Sequence, residues 1–230
     1  MPKRMKNRVL VIAPHADDEI LGCGATMAKL AAEGNDVYVL IVTNASIGAP
    51  ELYTEQGIAK VRREAKEAHQ ILGVKDTFFM DFPAPRLDTY PSYKISMEIS
   101  KLFEKLMPEM IFIPGLGDLH VDHAVLYRAC LVSARPINNY SIKKIYTYET
   151  LSETNWAPQQ GGHAFVPNVY VDVTDFLPKK LEALQCFKNQ TKCYPHCRSL
   201  EAIEALAKYR GSTIEKIYSE AFMVERIIIS

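Results

Sequence analysis

Two runs of almost unbroken apolar residues near the start, RVLVIAP at 8–14 and DVYVLIVT at 36–43, flank a stretch at 20–33 that is rich in Ala and Leu and stops at Gly34. A strand that is apolar on both faces must be covered on both faces. A helix between two such strands is the βαβ unit of a parallel sheet. The pattern then repeats. Helical composition returns at 58–72, closed by Gly73, and at 93–106, 122–134, 177–188 and 199–209. Further strand candidates lie at 77–82, 110–114, 145–149, 168–173 and 221–229. The expected architecture is α/β, a mostly parallel sheet with helices on both sides. At 230 residues the chain suits one domain spanning 1–230. Two stretches, 44–57 and 151–167, read as long loops after strands, on the edge where open α/β sheets bind ligands.

Charge narrows the partners. Lys plus Arg and Asp plus Glu both number 27, and this balance lacks the basic excess expected of a protein that coats nucleic acid or a membrane surface. No segment reaches the roughly 20 apolar residues of a membrane span. The basic N-terminus, 1–8, leads into an apolar run too short for a signal-peptide core. The five cysteines, at 23, 130, 186, 193 and 197, are odd in number and scattered, which fits reduced thiols better than a disulfide framework. A cytoplasmic protein is expected.

The first strand runs into Pro14-His15-Ala16-Asp17-Asp18-Glu19, which places one imidazole and three carboxylates within five residues of a buried strand. Buried charge is costly unless compensated, and a divalent cation would compensate it. The strand at 110–114 leads into Gly117-Asp118-Leu119-His120-Val121-Asp122-His123, a second His/Asp cluster. In a parallel sheet both clusters fall on one rim. Taken alone, Asp17-Asp18-Glu19 reads equally as a helix N-cap favoured by the dipole, and His120-x-x-His123 as two unrelated loop histidines. Together, each directly after a strand, they favour a metal site. A catalytic zinc takes three protein ligands and leaves one position open. His15, Asp18 and His123 supply two imidazoles and a carboxylate, and Asp17 stands beside them as a general base. His120 and Asp122 form a supporting pair, or His120 donates to a developing oxyanion. Fe²⁺ or Co²⁺ suit the same donor set.

With both motifs in hand, PHADDE and HVDH, the chain resembles the PIG-L/LmbE-like family of zinc-dependent N-deacetylases. The turn Ile71-Leu72-Gly73-Val74 and the closing Tyr218-Ser219-Glu220-Ala221-Phe222 are similar to family patterns as well. The resemblance implies a Rossmann-like three-layer αβα sandwich and hydrolysis of an acetamide on an N-acetylglucosamine-type sugar or conjugate. By motif position it implies His15, Asp18 and His123 as ligands of one Zn²⁺, Asp17 as base and His120 as acid or oxyanion donor. It also departs from the pattern: Ala16 stands where Pro is frequent, Ala45 where Gly is usual, and neither Arg62 nor Arg63 keeps the family's offset from Glu64. Substrate contacts are expected among Asn44, Arg62, Arg63, His196 and Arg198. For the two arginines a solvated helix face is the equal alternative.

Other features carry less. Gly22-Cys23-Gly24 lacks the third glycine of a dinucleotide fingerprint, since residue 27 is Met, and reads as close helix–sheet packing. Cys186, Cys193, His196 and Cys197 do not match two-plus-two zinc spacing. No Gly-x-Ser-x-Gly elbow is present. Trp156 is either a sugar-stacking platform or a packed loop anchor. Two other functions stay open at this level: a metal-dependent amidase or esterase on a non-sugar acyl compound, and a non-catalytic sugar-binding protein on the same scaffold. The expected partner is a small N-acetylated sugar, with no nucleic acid and no membrane insertion; homo-oligomerisation is left open.

Overall fold

The computed structural model describes residues 6–137 and 141–229, so the first five residues of the basic N-terminus lie outside the described residues. The chain runs β1 (Arg8–Ala13), α1 (Asp18–Ala32), β2 (Asp36–Asn44), α2 (Ala45–Gly48), α3 (Glu55–Leu72) and β3 (Asp76–Pro83). It continues through α4 (Ser92–Leu106), β4 (Met110–Pro114), α5 (Val121–Ser133), β5 (Lys144–Tyr148) and β6 (Val169–Asp172). It closes with α6 (Leu177–Leu184), α7 (Leu200–Ser212) and β7 (Ser219–Ile227).

One sheet takes the strands in the order β3-β2-β1-β4-β5-β7-β6. Neighbours from β3 to β5 pair in parallel, and β7 pairs antiparallel with both β5 and β6. The apolar runs are continuous because β1 is used on both sides. Val9, Val11 and Ala13 pack into the core formed with α1, α3, α6 and α7, whereas Leu10 and Ile12 pack into the core formed with α4 and α5. This is the three-layer sandwich expected from the sequence.

The chain lays β1, β2 and β3 outward in one direction and then returns to place β4 on the other side of β1. Loops leaving β1 and β4 therefore diverge, opening a crevice at the strands' C-terminal ends, where α/β sheets bind ligands. PHADDE leaves β1 and GDLHVDH leaves β4, so this switch point brings the two motifs together.

Two local features fix α1, which follows the first motif. A Cβ on Gly22 would overlap the ring of Tyr148 on β5, so the glycine serves close helix–sheet packing. Glu220, from the closing motif, accepts the N–H groups of Ala25 and Thr26 and pairs with Lys180 at 2.7 Å. All of this is buried.

Some boundaries differ from the sequence reading. The stretch 44–57 is not wholly loop: Asn44 caps the one-turn α2, and α3 begins at Glu55, where Thr54 accepts the N–H of Gly57. Hydrophobic periodicity alone placed that start at the first apolar residue and missed the cap. The helix expected at 177–188 ends at Leu184, whose carbonyl is taken by the Thr191 hydroxyl.

Candidate metal centre and active-site cavity

Among the described residues, two groups bring potential metal-ligand atoms within 4.8 Å of one another: His15 with Asp18 and His123, and His15 with His120 and Asp122. The first is the better fit. His123 Nε2 is buried, stands 3.3 Å from Asp18 Oδ2, and has no hydrogen-bond partner. A buried polar atom left without a partner is costly, and a cation held between these donors would relieve that cost. In the second group the Nδ1 of His120 is already occupied by the backbone N–H of Asp122. Two imidazoles and one carboxylate with an open side suit Zn²⁺, and suit Fe²⁺ or Co²⁺ as well. No such grouping includes Cys186, Cys193, His196 or Cys197.

Each metal-facing imidazole is fixed from behind by a carboxylate. His123 Nδ1 lies 2.8 Å from Asp118 Oδ2, and the other oxygen of Asp118 accepts the Thr154 hydroxyl at 2.5 Å. His15 Nδ1 lies 3.2 Å from Asp18 Oδ2, and its Nε2 lies 3.0 Å from Asp122 Oδ2. A carboxylate on the far nitrogen sets ring orientation and tautomer. The Asp122 carboxylate, for which a pairing with His120 was one of two alternatives, lies 3.9 Å from His120 Nδ1 and nearer, at 3.0 Å, to His15 Nε2, with Leu87 N–H on its other oxygen.

The electrostatics follow from this packing. Burial lowers His15, but Asp122 and Asp18 outweigh it and raise the imidazole to about 9. Burial likewise lowers His123, and Asp18 and Asp118 lift it to about 10. Burial raises Asp18, yet the two imidazoles hold its carboxyl well below the usual carboxylate range. Burial carries Asp17 up to about 8, opposed by the Arg198 guanidinium. His120 is lowered, first by burial and then by its charged neighbour His15.

Asp17 occupies an unusual backbone conformation, φ 116° and ψ −28°, at the N-cap of α1. A non-glycine residue there costs about 1–3 kcal/mol, and several contacts hold it. Its carbonyl accepts from Ile20 and Leu21, its N–H donates to Glu19, and its carboxylate takes Arg198 Nη1 at 2.8 Å. Arg198 comes from the segment before α7 and also donates to Ser152 Oγ.

These groups border a cavity of about 260 Å³. Its polar lining includes His15, Asp17, His120, Glu153 and Arg198; Ile41, Tyr53, Ile58 and Val61 supply apolar wall. Of the expected substrate residues, Arg62 and Arg198 line it. Arg62 is held by Asp81 at 2.6 Å. Arg63 does not line it; it is exposed, in a separate groove with Lys60, Glu67 and Glu182. Successive helical residues point about 100° apart, so Arg62 and Arg63 cannot share a face. Asn44 is not among the lining residues either. Its amide nitrogen bonds Asp81 and its oxygen bonds Ser46, while Thr43 and Ala45 line the cavity on either side of it. His196 is not among the cavity's lining residues; its ring lies 5.7 Å from that of Trp156.

The sequence reading assigned no role to Asp118, Glu153 or His69. Asp118 sits inside the second motif, and its spacing of five from His123 could have marked it. Glu153 and His69 come from segments with no motif.

Comparison with known proteins agrees with this geometry. The family described as PIG-L: GlcNAc-PI de-N-acetylase matches residues 10–134. The chain is 29% identical over 187 residues to the uncharacterized deacetylase YaiS of Escherichia coli, covering 79% of this chain and 90% of that one. It is 27% identical over 190 residues to the diacetylchitobiose deacetylase of Thermococcus kodakarensis, covering 80% and 70%. Its fold is similar to the conserved protein TT1542 from Thermus thermophilus, with TM-score 0.76, 25% identity, and 98% and 97% of the two chains covered.

Proposed function

The chain belongs to the PIG-L family of de-N-acetylases, and on that footing we propose that it hydrolyses the acetamide of an N-acetylglucosamine-type sugar or sugar conjugate, using one Zn²⁺ held by His15, Asp18 and His123. The observation that carries this reading is the buried Nε2 of His123, which makes no hydrogen bond, stands 3.3 Å from Asp18 Oδ2 and lies within reach of His15, itself in the lining of a cavity large enough for a sugar ring.

When bound, the ion supplies Lewis acidity toward the acetamide carbonyl and toward water. The rest is the work of side chains. Asp17, its carboxylate held by Arg198 at 2.8 Å, takes the proton of the attacking water. His120 accepts the Asp122 N–H at Nδ1, so its neutral ring carries the proton on Nε2 and donates it as a hydrogen bond to the oxyanion that develops on the carbonyl. The proton on Asp17 then passes to the amine nitrogen as the C–N bond breaks, leaving acetate and a free amino sugar. His15 and His123 need no movement in this sequence, since Asp122 and Asp118 already fix their rings.

No helix among the described residues is long and apolar enough to cross a membrane. All five cysteines are unpaired, which supports a reducing compartment, the cytoplasm, as the place of work.

The test is acetate release from a panel of N-acetyl sugars, nucleotide sugars and acyl esters, with and without chelator. Chelator-sensitive release from N-acetyl sugars is expected. Release from acyl esters alone would assign the non-sugar hydrolase reading instead, and saturable binding of sugar without release would leave a binding protein.

A further inference from the structure

The turn that follows β5, residues 150–154, reaches both sides of the candidate metal centre. Arg198, which holds Asp17, donates its Nε to the carbonyl of Leu151 and to the hydroxyl of Ser152. Two residues further on, the Thr154 hydroxyl meets Asp118, whose other oxygen lies 2.8 Å from His123 Nδ1. Neither PHADDE nor HVDH contributes this turn, and no step of the proposed chemistry uses Thr154.

The direction of each bond in that relay is set by what the groups can do. The backbone N–H of Thr150 only donates, and it reaches Thr154 Oγ1 at 2.8 Å. The Asp118 carboxylate only accepts, so at 2.5 Å the proton between the two side chains is that of Thr154. With Oδ1 taken in this way, Oδ2 accepts the Nδ1–H of His123. The nitrogen left for an ion is then Nε2, 3.3 Å from Asp18 Oδ2.

Thr154 has little freedom to do otherwise. Its N–H donates to the Thr150 carbonyl, its own carbonyl accepts Gln159 Nε2 at 2.6 Å, and the residue is buried. Room for the carboxylate comes from Gly115, where a Cβ would stand 3.1 Å from Asp118 Oδ1. Asp118 and Thr154 both border a cavity of about 130 Å³, separate from the one that His15 and Asp17 line. An Asp118 oxygen released by Thr154 would face that space, which is large enough for water, and the carboxylate would be free to turn away from His123.

We propose that Thr154 is a positioning residue of the metal centre: its hydroxyl pins Asp118 against His123 and so sets how tightly the ion is held, while touching neither ion nor substrate. This rests on the metal reading of His15, Asp18 and His123, and the experiment separates the two.

Zinc affinity is measured by competition with a chromophoric chelator for the wild type, for Thr154→Val, which loses the hydroxyl at nearly the same volume, and for Thr154→Ser, which keeps it. Thr154→Ala gives the same reading if Thr154→Val does not fold. Thr154→Val is expected to weaken zinc binding about tenfold. Its kcat at saturating zinc is expected to stay within about twofold, because Arg198 hangs on Leu151 and Ser152 and not on this hydroxyl. Thr154→Ser is expected to recover most of the affinity. Combining Thr154→Val with Asp118→Asn is expected to cost less than the two single losses multiplied, because both act through one carboxylate. Unchanged zinc affinity in Thr154→Val, or losses that simply multiply, would overturn the positioning role and leave the metal centre standing. A fall in kcat at saturating zinc that Thr154→Ser does not repair would also overturn it, making Thr154 a plain support of the turn. A wild type that binds no zinc would overturn the metal reading and this role with it.

Discussion

His69 Nε2 lies 2.9 Å from Glu19 Oε1, and the other oxygen of that carboxylate accepts the backbone N–H of Asp17 at 3.1 Å. Both side chains are buried, and His69 is in turn bonded to Thr77 at 2.8 Å. A chain of polar contacts thus runs from β3 through α3 to the residue proposed as general base. It stabilises the αL conformation that aims Asp17 into the cavity. His69 is accordingly a positioning residue: it touches neither the metal ligands nor the cavity.

Replacing His69 by Leu leaves the Glu19 carboxylate buried without its partner, a change expected to destabilise the fold by about 3–5 kcal/mol. It also frees Asp17 to shift, and a displacement on the order of 1 Å lowers turnover by up to about 100-fold. His69→Gln retains a donor toward Glu19 and is expected to restore kcat more than thermal stability. Thermal melts beside steady-state kinetics check this; a His69→Leu enzyme that melts early but keeps its kcat would make the contact purely structural.

Asp118 touches no proposed substrate atom, yet it fixes the ring of His123 at 2.8 Å. Asp118→Asn is expected to weaken metal affinity about 10–100-fold while leaving the loaded enzyme's KM for substrate close to that of the wild type. Competition with a chromophoric chelator measures the affinity, and an unchanged value would remove Asp118 from this role.

Metal uptake is expected to depend on pH with a definite sign. Without metal, His15 and His123 titrate at about 9 and about 10, both raised. Near pH 7 both rings therefore carry protons that an incoming ion must expel. Apparent affinity rises with pH across the range from neutral to about 9 and levels only as the rings become neutral unaided. Calorimetry at pH 7 in buffers of different ionisation enthalpy reads the protons released. Fewer than one per ion would contradict this.

Asp17→Asn removes the proton acceptor and keeps the ligand set. Turnover is expected to fall by about 10²–10⁴-fold with metal content unchanged. Elemental analysis alongside the acetate assay decides it; a variant that retains turnover would move the general-base role elsewhere.

Much of this was legible in the sequence because its causes are local. β1 and β2 are buried on both faces, so their apolar runs are unbroken, and PHADDE and HVDH each follow a strand directly. Topology then does the rest, because β4 returns beside β1. What the sequence could not display depends on contacts between distant segments. Arg198 meets Asp17 across 181 residues and His69 meets Glu19 across 50, and no periodicity or spacing encodes such pairs. Asp122 lies two residues from His120, yet its carboxylate stands closer to His15, 107 residues away, at 3.0 Å. Arg63 was indistinguishable from Arg62 until the helix phase was known.

The central claim is that one ion sits among His15, Asp18 and His123, and anomalous diffraction at the zinc edge from crystals of the zinc-loaded protein tests it most directly. The account predicts a single strong peak about 2.0–2.2 Å from a nitrogen of each histidine and an oxygen of Asp18, absent in a His123→Ala crystal. A peak bound by His120 and Asp122 without His123, or none at all, would contradict it.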